Sequence, residues 1–214
     1  MRPVFADPKI DFVFKRIFGS EIHKPFLIEL LNALLELSGD HRIGDLQYLS
    51  PEQRVPVEEL KMSVVDVKCF DERGRHYVVK MQVLNVEWLE KRVVYNTSKP
   101  YVTQLLAGQD YPSLDDVVGV TICDFLLWPG PPDPGGAPVP MLSRWRMQEQ
   151  HGGALSLPQV QYVFLELPKY AAGDDPQGMI DRWAGVEREA ALGGMGADEL
   201  DGLQARLFRD RRWD

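Results

Sequence analysis

The chain predicts an α/β domain, a mixed β-sheet flanked by helices, and three features of its 214 residues carry that expectation. Residues 63–83 alternate apolar and polar side chains through two runs separated by a turn, as two half-buried strands of a hairpin do. Residues 117–125 form a nearly continuous apolar run rich in β-branched side chains, as a strand covered on both faces does. Between and before these lie segments whose apolar residues recur at helical spacing.

In chain order, Phe14, Ile17 and Phe18 predict a short helix over residues 11–18, stopped at Gly19. Pro25 then opens a second helix, in which Leu27, Leu30, Leu31, Leu34, Leu35 and Leu37 form a broad stripe ending before Gly39. Both helices are expected to cap one face of the sheet. Residues 43–49 predict a strand and 50–56 a loop; Lys61 begins the first hairpin strand.

In the hairpin, Val65, Val67, Cys69, Tyr77, Val79, Met81 and Val83 are assigned to one apolar face, and Asp66, Lys68, His76, Lys80 and Gln82 to the other. Asp71-Glu-Arg-Gly74 reads as a type I turn followed by a glycine at positive φ. That register sets Asp66 opposite Lys80, with Cβ atoms about 4.5–5.5 Å apart, and Gln82 one step further along the same face.

Residues 87–107 are expected to form two helical pieces broken at Pro100, with Ser98 capping the second and Val93, Val94, Tyr101, Val102, Leu105 and Leu106 buried. Because the run at 117–125 follows a helix, a right-handed crossover lays it parallel to a hairpin strand. Residues 128–140 are too rich in proline and glycine for a regular element, and read as a lid or an insertion. A further strand is expected over 159–167 and a helix over 179–192. Residues 197–213 form a charged amphipathic segment that docks on the domain, pairs with another copy or frays. The chain thus divides into one domain, residues 1–192, and a carboxy-terminal segment, 193–214.

Composition narrows the function classes. A formal net charge of −8 is the wrong sign for a protein that wraps passive duplex DNA, so any nucleic-acid contact must be local. Lys15-Arg16 with Lys24, Lys91-Arg92 with Lys99, Arg144 with Arg146, and Arg209 with Arg211-Arg212 are the candidate basic patches. Cys69 and Cys123 have no CxxC companion and read as buried free thiols. The histidines are scattered without zinc-site spacing. No apolar run approaches the length of a membrane span, and the expected compartment is the cytoplasm. No P-loop, GxGxxG or GxSxG motif occurs, which removes nucleotide binding and α/β-hydrolase chemistry.

An aspartate on one hairpin strand, followed on the next by an acid-x-Lys or acid-x-Gln pair, is how a two-strand platform holds a divalent cation. Taken alone, Asp66 facing Lys80 also reads as an ordinary surface pair worth about 0.2–1 kcal/mol. Blocks outside the hairpin add to it: residues 11–19, Leu30 to Leu35, Tyr95 with Ser98-Lys99, Gln104-Leu105, Ile122-Cys-Asp124-Phe125 and Phe164-Leu-Glu166-Leu-Pro168-Lys169. With these in order, the chain resembles the PD-(D/E)XK nuclease superfamily and, within it, the bacterial transposase-like, recombination-promoting nucleases.

The resemblance implies a restriction-endonuclease-like core and Mg²⁺-assisted hydrolysis of a DNA phosphodiester. By resemblance Asp66 is the metal ligand, Gln82 stands at the position of the motif's lysine and orients water or phosphate, and Lys61 or Lys99 steadies the DNA backbone. A helical glutamate, Glu21 or Glu29, and Asp124 at a strand end are further candidates for oxygen donors. One departure matters: the family's glutamate position is Lys80 here. An ammonium facing Asp66 supplies positive charge where the family places a cation. The alternative expectation is therefore a non-catalytic protein of the same fold that binds DNA or a protein partner. A homo-oligomer formed through residues 193–214 is a further expectation.

Overall fold

The computed structural model describes residues 11–53, 62–131 and 134–170. Lys61, the expected helix over 179–192 and the segment 193–214 lie outside the described residues. Helix α1 (Asp11–Phe18) leads through a 3₁₀ turn into α2 (Lys24–Leu34), which has proline in its first turn, where a missing N–H costs nothing. Strand β1 (Leu46–Leu49) follows, then the short β2 (Glu52–Gln53) and β3 (Ser63–Val64). The hairpin is β4 (Val67–Asp71) and β5 (His76–Gln82). Helix α3 (Leu89–Val102), β6 (Val117–Cys123), β7 (Leu142–Gln148) and β8 (Ser156–Glu166) complete the order.

Among the described residues, six strands form one mixed sheet in the order β1-β4-β5-β6-β8-β7. Strands β5, β6 and β8 run parallel, while β1, β4 and β7 join antiparallel. The parallel pairing of β5 with β6 across α3 is the crossover the apolar run implied. Helices cover both faces. On one side Phe14, Phe18, Leu27, Leu30, Leu31 and Leu34 pack on Cys69, Tyr77, Val79, Val118, Val120, Val163 and Leu165. On the other, Leu89 and Val93 of α3 meet Cys123 and Phe164. This is the mixed α/β sandwich of a restriction-endonuclease-like fold.

The hairpin turn forms as its residues require. Gly74 has φ 85°, its N–H reaches the Asp71 carbonyl at 3.0 Å, and Asp71 Oδ1 accepts the Arg73 and Arg75 N–H groups at 2.9 and 3.0 Å. Gly119 of β6 answers a different need. A Cβ there would stand 2.1 Å from Thr97 Oγ1, so the missing side chain is what lets α3 approach the sheet.

Several expectations are corrected. The first platform strand is not continuous: Ser63–Val64 pairs with Glu52–Gln53, and the chain bends at Asp66 before β4 begins. The bend breaks the alternation, so Val65 packs with Val78, Val117 and Tyr101 on the α3 side, away from Val67. Val83 lies beyond the end of β5 and is 42% exposed.

Helix α3 is one helix, with Pro100 inside it. Only two helical residues follow the proline, so little of the ladder depends on its missing donor. Ser98 Oγ donates to the Val94 carbonyl at 2.8 Å and caps nothing. The buried stripe is Leu89, Val93, Asn96, Thr97, Lys99 and Pro100, while Val94, Tyr95, Val102 and Leu106 are exposed. The amphipathic stripe was misplaced because its inner face becomes polar where Thr97 meets Gly119. Strand β7 was not anticipated: at a sheet edge, five of its seven residues are exposed, and its charged sequence hides the period.

Candidate functional site

The site is built where β4 leaves the bend and β5 nears its carboxyl end, at the edge where the parallel strands β5, β6 and β8 all finish. The register pairs Val67 with Val79, which sets Asp66 across from Lys80, and the Asp66 N–H reaches the Val79 carbonyl at 3.2 Å.

Asp66 is the centre of the arrangement. Its side chain is fully buried, and each oxygen is used: Oδ1 accepts from Lys80 Nζ at 2.7 Å, and Oδ2 from the Met81 backbone N–H at 2.7 Å. A second ammonium, Lys15 Nζ on α1, stands 3.5 Å from Oδ1. The lysines are 23% and 34% exposed, so both hold a buried carboxylate from its rim. Among the described residues, one carboxylate is faced here by two ammonium groups.

From sequence Lys15 belongs to a basic patch and to the resembling block of residues 11–19, with no place at the site. Its role depends on α1 packing across the end of the sheet, for which its spacing in sequence carries no signal.

Gln82 lies one step along the same face, but its Nε2 donates to the Leu84 carbonyl at 2.7 Å. Lys80, Gln82, Asn96 and Thr121 line a cavity of about 20 Å³ under α3. Lys99 is on the inner side of α3 and 4% exposed; its Nζ donates to Ser63 Oγ at 2.8 Å and lies 4.4 Å from the Tyr95 ring centre. The backbone contact expected of Lys99 thus falls on a buried ammonium. Asp66, Lys80 and Gln82 are brought together; Lys99 occupies the next layer; Lys61 is outside the described residues.

The donor set among the described residues does not fit a divalent cation. Such ions take several oxygen ligands, whereas here an ammonium sits 2.7 Å from Asp66, the sole carboxylate of that hairpin face among the described residues. Among the described residues no three His, Cys, Asp or Glu side chains converge to hold a metal. Glu21 pairs with Lys24 at 2.9 Å and the buried Glu29 with Arg42 at 2.5 Å, so each helical glutamate answers a cation of its own. Asp124 follows β6, and its N–H donates to the Gln82 carbonyl at 3.0 Å, which ties the strand ends together.

His76 begins β5, about 13 Å from Lys80 at the rise of a strand, and burial followed by the charge of Lys68 lowers its pKa. Glu166, completely buried, accepts the Leu127 and Trp128 N–H groups at 2.7 and 3.1 Å and pairs with Lys169 at 2.6 Å. It anchors the start of the proline-rich stretch. Among the described residues of that stretch there is no helix or strand.

A family model described as PD-(D/E)XK nuclease family transposase matches residues 8–186. No curated protein and no solved structure matches the chain.

Proposed function

Because the chain belongs to the PD-(D/E)XK nuclease family transposases, we propose that it engages DNA through this fold without metal-dependent cleavage, Lys80 standing in for the cation. The carrying observation is the 2.7 Å contact between Lys80 Nζ and Asp66 Oδ1, with the Met81 N–H on the other oxygen. A metal ion would have to displace a covalently tethered cation and a backbone donor, and among the described residues would gain one carboxylate in return. An ammonium cannot lower the pKa of a water molecule by coordination, so the attacking hydroxide of phosphodiester hydrolysis has no source there. What remains is electrostatic: Lys80 and Lys15 bring two ammonium groups to the end of the sheet, the side-chain type that holds a phosphate diester. No helix among the described residues is long and apolar enough to cross a membrane, and the reading places the protein with DNA in the cytoplasm.

Plasmid nicking in Mg²⁺ or Mn²⁺, run beside a gel shift, tests this. The native chain should shift DNA without nicking it, and Lys80→Glu should bring metal-dependent nicking that Asp66→Asn removes. Nicking by the native chain that disappears in Asp66→Asn would restore the hydrolytic reading.

A further inference from the structure

A groove of about 650 Å³ runs along the exposed side of α3, its helix wall made by Trp88, Lys91, Arg92, Tyr95 and Asn96 with Val64 opposite. Trp88 precedes the helix with φ 62° and ψ 32°, a left-handed backbone that a bulky aromatic residue rarely adopts. Its side chain gains no burial in exchange, since the residue is 61% exposed. Backbone strain combined with an exposed ring is the pattern of a residue held for a ligand.

The groove is also cationic. Lys91 Nζ lies 4.2 Å from the centre of the Trp88 ring, and Lys99 Nζ 4.4 Å from that of Tyr95. Arg92 and Lys91 form no ion pair among the described residues, and Glu87 is the only carboxylate of the described lining. In a chain of net charge −8, that local balance points to an anionic occupant.

Asn96 is the independent sign. It is 8% exposed, its Oδ1 accepts no hydrogen bond, and it lines both this groove and the small cavity beside Lys80 and Gln82. A buried acceptor without a donor is uncommon. Here it marks the junction between the groove and the Asp66–Lys80 site.

From these we infer that the groove binds single-stranded nucleic acid: unpaired bases stack on Trp88 and Tyr95, and Arg92 and Lys91 hold phosphates. Seven residues separate the two rings, about 10 Å along a helix, the span of about three stacked nucleotides. A duplex buries its base faces and cannot use the rings, so strand preference follows from the stacking. The inference rests on the DNA-binding reading above and adds the strand form and the contacting residues.

The test is fluorescence anisotropy with a labelled 12-nucleotide single strand, the same sequence as duplex, and a 12-unit abasic strand. The native chain should bind the single strand about tenfold more tightly than the duplex. Trp88→Ala should lose about tenfold on the single strand, a typical stacking contribution, and less than about twofold on the duplex. Trp88→Phe should stay within about threefold of native, and the abasic strand should bind the native chain no better than the full strand binds Trp88→Ala. Arg92→Gln should flatten the salt dependence by about 0.7 in logarithmic slope. Unchanged melting of each variant by circular dichroism secures the comparison.

Equal binding of duplex and single strand, or native affinity in Trp88→Ala, overturns the groove assignment and leaves DNA binding standing. No binding of any DNA by the native chain overturns both. A mass that rises with concentration and falls to monomer in Trp88→Ala assigns the groove to a second copy and also overturns the inference.

Discussion

Asp66→Ala and Lys80→Met remove the two ends of one contact, yet the structure predicts unequal costs. Deleting the carboxylate strands the Met81 N–H, whose acceptor at 2.7 Å is buried, at about 1–3 kcal/mol. It also takes the Asp66 carboxylate away from Lys80. Breaking a fully buried pair costs about 3–5 kcal/mol, but Lys80 is 23% exposed and can turn to water, so only a fraction of that applies. Together the loss is about 3 kcal/mol. Lys80→Met leaves Asp66 with the Met81 N–H and with Lys15 at 3.5 Å, and fills similar space with an apolar chain, for about 1 kcal/mol. The double variant should cost less than the two singles summed, by about 1 kcal/mol. Urea unfolding with an unchanged denaturant slope gives all three values. If Lys80→Met proves as costly as Asp66→Ala, or Asp66→Ala costs under about 1 kcal/mol, the described placement of charge is wrong. The same reasoning makes Asp66→Asn the better variant for nicking assays, because it keeps an acceptor near Met81.

Three further outcomes follow from the fold. Gly119→Ala sets a Cβ 2.1 Å from Thr97 Oγ1, so it should destabilise by about 1–3 kcal/mol, and Thr97→Ala should recover most of that in thermal melts. Glu166→Ala deprives two backbone N–H groups of their acceptor and leaves Lys169, among the described residues, only the Val139 carbonyl at 2.8 Å; a loss of about 2–4 kcal/mol is expected. Tryptophan emission should change with it, since Trp128 packs 5.0 Å from both Trp145 and Phe164; an unchanged spectrum and melt would count against the anchor. Burial pushes the Cys69 and Cys123 thiols up to about 12, Asp71 adding to the first and Glu166 to the second. Folded values raised above the unfolded ones mean a contribution fully present below the ordinary thiol pKa, about 8.5, and lost as pH rises from there toward 12. A thiol reagent at pH 8 should therefore label the native chain far more slowly than the chain in urea, and fast native labelling would contradict the burial.

The elements that the chain announced are those in which one period of side chains runs without interruption. Phe14 with Phe18, the leucines of α2, the turn at Asp71 to Gly74 and the fully buried β6 each repeat a simple rule, and each formed. The opposition of Asp66 and Lys80 was legible for the same reason: a short hairpin turn counts residues and so sets the register. Where a period breaks, the letters misled. The bend at Asp66 sent Val65 to the α3 face, Thr97 against Gly119 made a polar stripe the inner one, and the exposed edge β7 offered no alternation to read.

Sequence by itself determined the α/β class, the family, and that an ammonium faces the aspartate, because local propensity and register depend on near neighbours along the chain. Only tertiary structure decided that Lys15 joins them, that Lys99 is buried against Ser63 and Tyr95, and that Trp88, Arg92 and Asn96 share a groove. Those outcomes depend on which helix lies over which strand end and at what distance, and packing between distant segments, unlike the pleat or the helical turn, leaves no period in the chain.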